Sequence, residues 1–246
     1  PDHSGGIIMG YAPGQEVNNI PFGIPLALRK WSELSGIQKF GYAASVGTTF
    51  TTIWEGVTPY PYITTSAPVT LTSSNSAADD GTTVQVQGLD GNYDLLTETV
   101  TVGGPASTGL FHRIFRMSTI TCNTGSVNVG DISATVGGTV RAYILAGEGQ
   151  TLMAVYTVPA GYRAFLLSVY ASPSKQKEMT VRLITRPFDN GGSFNVKAYG
   201  TSFGAAFLRN YNVVEMLQPK TDIEVQCKVD ATSAVSAGFE LVLEKI

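Results

Sequence analysis

The chain has 246 residues, of which 43% are hydrophobic and only 14% charged, and its formal net charge is −3. That balance offers no clustered cationic surface to nucleic acid, no apolar stretch approaches the ~20 residues of a membrane span, and two cysteines cannot build a disulfide framework. The length exceeds the usual single-domain size of roughly 100–150 residues, so two domains are expected, and a charged share below the common ~25% leaves a surface clothed by Thr, Ser, Asn and Gly that repels other copies weakly.

The N-terminus lacks the charged, apolar and small-residue order of a signal peptide; removal of an initiator Met or proteolytic maturation would leave Pro1 first. Residues 1–46 are punctuated by Pro13, Gly14, Pro21, Gly23 and Pro25 between short apolar pieces that include Ile20, Phe22, Ile24 and Leu26. Such punctuation prevents a long helix or a regular strand, so an extended arm is expected, its apolar anchors Ile20, Phe22 and Ile24 lying on its own body or on a partner. A short helix fits only 26–34, where Leu28, Trp31 and Leu34 recur at helical spacing and Gly36 would stop it.

Residues 47–147 read as a first β-sandwich domain. Runs rich in Val, Thr, Ile and Tyr at 69–72, 83–87, 95–102, 112–122, 126–134 and 139–145 are separated by Gly, Asp, Asn and Pro turns. Val84 and Val86, then Asp90-Gly91-Asn92, then Val100 and Val102 predict a hairpin, because Asp-Gly tolerates the positive φ of a tight turn; Gly137-Gly138 marks another.

Residues 148–246 read as a second domain, with runs at 151–158, 164–172, 179–185, 193–198, 213–217, 222–229 and 237–245. The cleanest alternation is Ile223, Val225, Cys227 and Val229 against Glu224, Gln226, Lys228 and Asp230, which predicts one buried and one wet face. Phe239, Leu241 and Leu243 repeat it near the end of the chain. Pro159-Ala160-Gly161 is expected to turn a hairpin between Met153, Val155, Thr157 and Phe165, Leu167, Val169. Seven or eight short strands in about a hundred residues suit a sandwich, with a jelly roll as the leading topology. The chain is therefore expected to be all-β: an extended N-terminal arm and two β-sandwich domains, the C-terminal one jelly-roll-like.

Residues able to do chemistry are few. A serine or cysteine triad needs a histidine beside a nucleophile and an orienting carboxylate; His3 lies in the arm, and His112 alternates with Arg113 in a strand where a solvated or stacking side chain is far commoner. Metal-ligand spacings of the His-x-x-x-His or Cys-x-x-Cys kind do not occur, and Cys122 and Cys227 read as buried thiols, with a single bridge between them left open. Asp90-Gly91-Asn92-Tyr93-Asp94 starts like a calcium loop, but Leu95 and Thr101 occupy the positions that demand Gly and Glu. Asp79-Asp80-Gly81 and Asp189-Asn190-Gly191-Gly192 read as turns. Trp54, Tyr60 and Tyr62 around Pro59 and Pro61 could stack a sugar or a partner's apolar arm; packing into the core is the plainer reading. No catalytic residue, metal or cofactor is expected.

The ordered series Thr52-Ile53-Trp54-Glu55-Gly56, Pro61-Tyr62, Val86-Gln87-Gly88-Leu89-Asp90-Gly91-Asn92-Tyr93, Leu96-Thr97-Glu98-Thr99-Val100, Gly149-Gln150-Thr151-Leu152-Met153-Ala154 and Tyr156-Thr157-Val158-Pro159-Ala160-Gly161, preceded by Trp31-Ser32-Glu33, resembles virion proteins of tailed bacteriophages, marine ones especially, over roughly residues 31–172. The resemblance implies a capsid decoration (cement) protein, often a homotrimer of β-sandwich domains, bound to the major capsid protein on the outside of the capsid after synthesis in the bacterial cytoplasm. The runner-up in the same setting is a tail-associated adaptor or a receptor-binding tail spike module holding glycan through Trp54, Tyr60 and Tyr62. The resemblance carries over no functional residue, since its motifs mark turns and core positions.

Overall fold

A computed structural model describes residues 23–188 and 192–246. A one-turn helix α1 (Gly23–Ala27) precedes a long strand β1 (Leu34–Val46) and the short β2 (Thr51–Thr52). A group of smaller elements follows: β3 (Val69–Ser73), α2 (Ser76–Asp79), β4 (Thr83–Leu89), β5 (Leu95–Thr101), β6 (Arg113–Thr121), β7 (Ile132–Val136) and β8 (Thr139–Ile144). The chain then runs through β9 (Val155–Thr157), β10 (Tyr162–Pro173), β11 (Glu178–Arg186), β12 (Asn195–Phe203), β13 (Phe207–Leu217), β14 (Asp222–Val229) and β15 (Ser233–Lys245).

The larger body is a sandwich of two antiparallel sheets, β1-β15-β10-β13 and β12-β11-β14 with both β2 and β9 on the far edge of β14. β2 pairs with Gln226 and Cys227, whereas β9 pairs with 222–224, so the two short strands lie end to end and share one strand position. Counting that position once, the eight strands in chain order form sheets 1-8-3-6 and 5-4-7-2, which is jelly-roll connectivity. Its core joins the inward faces of both sheets, including Leu166, Val169, Val181, Leu183, Val225, Cys227, Phe239 and Leu241.

The smaller body, sheets β3-β7-β8 and β5-β4-β6, leaves the sandwich between β2 and β9 and has its own core around Val69, Val84, Val86, Phe111, Met117 and Ile144. It is therefore an insertion within one strand position of the jelly roll, where successive domains divided at 147 were expected.

Three further expectations change. Residues 34–46 of the expected arm form β1, a full strand paired with β15 from Leu34↔Glu244 to Val46↔Ser233. The helix lies at 23–27, ahead of the expected 26–34, and Gly36 stands inside β1 as Leu26 packs 3.2 Å from where its Cβ would be. Pro159-Ala160-Gly161 joins strands of different sheets, because β9 pairs with β14 while β10 pairs with β13 and β15; a turn's residue types do not reveal whether its arms bond to each other.

Both hairpins expected in the first domain form. β4 pairs with β5, with Asp90 Oδ1 accepting from the Asn92 and Asp94 amides at 2.8 and 3.0 Å, and the positive φ of 69° falls on Tyr93 instead of Gly91. β7 pairs with β8 across Gly137 and Gly138, whose φ values of 59° and 77° need glycine.

Candidate functional site: a buried charge cluster between the two bodies

The alternation of β14 is real, yet its polar face is not wet. Ile223, Val225, Cys227 and Val229 enter the sandwich core, and on the other face Asp222, Glu224 and Gln226 are also buried, at 3%, 1% and 5% exposure. The inserted body and its connecting segments cover that face. Neighbouring strands add Thr157 opposite Asp222 and Arg186 opposite the same residue from the other side. Polar groups shut between two bodies must be paired, and these are.

Asp222 is saturated. Its Oδ1 accepts from Arg113 Nε at 2.8 Å and Thr157 Oγ1 at 2.6 Å, and its Oδ2 accepts from Arg113 Nη2 at 3.1 Å and Arg186 Nε at 3.0 Å. Arg113 opens β6 in the inserted body, so this bidentate pair fastens one body to the other; the side chains are 6% and 4% exposed. Arg113 Nη1 also donates to the carbonyls of Ile63 and His112 at 2.9 and 2.8 Å. Burial opposes its charge, and Asp222 more than offsets this, holding the guanidinium pKa above the ordinary arginine range. Two residues along β14, Glu224 accepts hydrogen bonds from Tyr62 Oη at 3.2 Å and from Gln226 Nε2. Burial pushes its carboxyl up to about 7, against the opposing pull of those two bonds.

Aromatic rings wall the cluster. The Arg186 guanidinium lies 4.3 Å from the Tyr62 centroid and 5.0 Å from that of Phe194, while Arg113 lies 5.1 Å from Tyr62 and 5.3 Å from Tyr93. Tyr62 meets Tyr60 edge-on at 4.9 Å, and Tyr60 meets Trp54 edge-on at 5.0 Å. Trp54 and Tyr60 are 2% and 5% exposed, their polar atoms donating to the carbonyls of Val57 and Arg141 at 3.0 Å each. Rings so enclosed cannot stack a sugar or a foreign arm without opening the body. Trp54 and Tyr60 pack into the core, the plainer of the two readings of the sequence, with only Tyr62 half-buried at the margin of the cluster. Ile24 is 49% exposed on α1, and Ile20 and Phe22 lie outside the described residues, as do His3 and the turn at 189–191.

This arrangement holds bodies together; it does not present a reactive group. Asp222 lines a ~180 Å³ recess with Tyr93, Arg113, Arg186, Phe188 and Lys220, but a carboxylate with both oxygens taken has no lone pair ready for a substrate proton, and Glu224, whose raised pKa is the kind a general acid uses, does not line it. His112 Nδ1 lies 3.2 Å from Ser66 Oγ, and burial followed by the neighbouring Arg113 charge lowers its pKa. Among the described residues no group of three or more His, Cys, Asp or Glu side chains could hold a metal ion. Asp79, 1% exposed, accepts from Ser73 Oγ at 2.6 Å and from the Val129 and Gly130 amides at 2.8 and 2.7 Å, so its carboxylate ties α2 to the segment ahead of β7.

A second fastening joins the bodies at β1. Lys39, 3% exposed, donates from Nζ to the Phe115 carbonyl, and Arg116 Nη2 donates to the Gln38 carbonyl at 2.9 Å. Burial first, then the Arg116 charge, depresses the Lys39 pKa well below the usual lysine range. None of Lys39, Arg113, Arg186, Asp222 or Glu224 stands out by motif. The usable signal was an isolated charge opening or interrupting an otherwise apolar strand.

No protein-family model matches the chain, and no curated protein does. Among solved structures the chain is similar to that of the infectious bursal disease virus Gt strain, at 15% identity and TM-score 0.25 over 86% of this chain and 69% of that one. It is also similar to T=1 particles derived from infectious bursal disease virus, at 14% identity and TM-score 0.25 over 86% and 68%. TM-scores of this size carry no argument; the jelly-roll order stands on the strand pairing itself.

Proposed function

We propose that the chain is a structural protein of a phage virion: a decoration or cement protein that binds the outside of the major capsid shell as a homotrimer and stabilises it. The observation that carries this reading is how the side chains are used. The charged cluster best placed for chemistry is consumed in joining two bodies, while large apolar side chains such as Phe203, Leu208 and Val213 remain exposed on the jelly roll. That distribution suits a subunit whose work is fit against neighbours. The sequence resemblance to tailed-phage virion proteins supplies the setting, and jelly rolls serve capsid as well as lectin domains, so the fold alone does not choose between them.

Cement physics accords with it. Stabilising a shell requires interface area at junctions between shell subunits, and several modest contacts acting through one trimer release only when all break together. The tail-spike alternative relied on Trp54, Tyr60 and Tyr62 as a glycan platform, and burial of the first two removes its residues. Gold-labelled antibody against the chain, applied to purified particles, tests the proposal: label spread over heads is expected, and label confined to tails or absent from particles overturns it.

A further inference from the structure

The ~180 Å³ recess beside the Arg113–Asp222 pair opens where three connections meet. The β4–β5 turn of the inserted body supplies Tyr93, the β13–β14 turn supplies Lys220, and the end of β11 supplies Arg186, with Phe188 just beyond it. Its charges do not balance. Arg113, Arg186 and Lys220 line it with one carboxylate, that of Asp222. Glu224 does not line it and is about half protonated near neutral pH, and Asp90 Oδ1 accepts from the amides of its own turn. Positive charge therefore collects here in a chain whose net charge is −3.

We propose that this recess binds a small oxyanion, a carboxylate or a phosphate group, held by Arg186 and Lys220. Free donors are the first support. Arg113 commits all three of its nitrogens, to Asp222, to Tyr93 Oη and to the carbonyls of Ile63 and His112. Arg186 directs Nε and Nη2 to Asp222 Oδ2, and its Nη1 has no partner among the described residues; the side chain is 24% exposed. The Lys220 ammonium likewise donates to no oxygen among the described residues, lying 4.9 Å from the Phe188 centroid and 5.4 Å from that of Tyr93. A guanidinium edge and an ammonium with unused N–H groups are the donor types that recognise carboxylate and phosphate.

Desolvation is the second. Tyr93 and Phe188 meet edge-on at 5.6 Å and wall the recess, and Asp222 within it is 3% exposed. Walls of low dielectric strengthen the attraction between an anion and the excess cations. The volume is that of several waters, which suits a carboxylate or phosphate group.

Backbone strain is the third. Among the described residues only Arg29, Tyr93 and Lys220 hold a positive φ without being glycine, and the last two, at 69° and 62°, line this recess. Left-handed backbone at a bulky residue persists only where its surroundings enforce it. Here the Lys220 amide donates to the Val158 carbonyl and the Tyr93 carbonyl accepts from the Ala160 amide, each at 2.8 Å.

The test is isothermal titration calorimetry of the whole chain with sodium phosphate and with sodium acetate, against sodium chloride at matched ionic strength. Saturable one-to-one binding of an oxyanion is expected, and none of chloride; whether phosphate or acetate binds tighter tells a phosphate group from a carboxylate as the occupant. Lys220→Asn, whose new side chain tolerates positive φ, should weaken that binding about tenfold. Lys220→Gln serves if the first variant does not fold. Lys175→Gln, on the exposed β10–β11 connection, should leave the affinity unchanged. Absence of saturable binding to the wild type overturns the inference, as does undiminished affinity in a folded Lys220 variant. Binding that appears only in Asp189→Asn also overturns it, because the carboxylate of Asp189, outside the described residues, would then already meet the charge. The inference stands on the recess alone: a failure to bind leaves the virion proposal intact, and absence from particles leaves the recess.

Discussion

Arg113 and Asp222 are 109 positions apart in the chain and 2.8 Å apart in space. One opens a strand of the inserted body, the other opens a strand of the jelly roll, and both are sealed from water. A bidentate pair at that place sets where the two bodies sit on each other. Breaking it from one side leaves a buried charge without its partner.

Asp222→Ala is therefore expected to be among the most damaging single changes. It strands the Arg113 guanidinium and removes the partner of Arg186, and losses of this type cost about 3–5 kcal/mol. Urea unfolding measures it. A cost under about 1 kcal/mol, typical of exposed pairs, would show that the pair is solvated.

Glu224 predicts a pH dependence with a definite sign. Its carboxyl moves from an ordinary 4.5 to about 7 in the folded chain, so between those values the folded state keeps a proton that the unfolded state releases. Stability from this group is complete below the unfolded value and declines as pH rises through the folded one, by roughly 3 kcal/mol in all. Glu224→Gln should remove that slope and unfold at higher urea than the wild type at about pH 8. Parallel wild-type and variant profiles from about pH 5 to about pH 8 would contradict the placement of Glu224.

Gly41 marks where β1 crosses the split strand position. A Cβ there would lie 2.5 Å from the Ala154 amide nitrogen and closer still to the Ile53 carbonyl, backbone atoms that cannot swing aside. Gly41→Ala is expected to lose more than about 2 kcal/mol by overpacking, despite alanine's better fit to a strand. An unchanged thermal midpoint would show that β1 does not pass there.

Much of this architecture was legible in the chain. β4–β5 and β7–β8 announce themselves through Asp90-Gly91 and Gly137-Gly138, and the inward residues of β14 and β15 follow their period of two. What stayed hidden depended on neighbours distant in sequence. Asp222, Glu224 and Gln226 have the spacing of a solvated face, and only the body inserted between β2 and β9 makes that face an interior. β1 was concealed because Gly36, Lys39 and Gly41 break an apolar alternation, each for a reason supplied by something packed against it: Leu26, the Phe115 carbonyl, and the backbone of Ile53 and Ala154. For Trp54 and Tyr60 core packing was already the plainer reading beside a surface platform, and their burial shows how a proline-bent segment fills a core.

The arm gives a prediction that separates folding from attachment. Among the described residues no ladder pairing uses a residue before Leu34, and deleting residues 1–22 is expected to leave the unfolding free energy from urea titration within about 0.5 kcal/mol of wild type. Its occupancy on particles should fall, because the apolar anchors Ile20 and Phe22 go with it. Full occupancy by the truncated chain would assign attachment to the sandwich alone.

The central claim is that this jelly roll spends its chemistry on fit to a lattice. Cryo-electron microscopy of purified particles tests it most directly. A cement role requires two-body density on the outer surface of the head, grouped in threes. A bare head lattice, with the chain found only at the tail or absent from the particle, would contradict it.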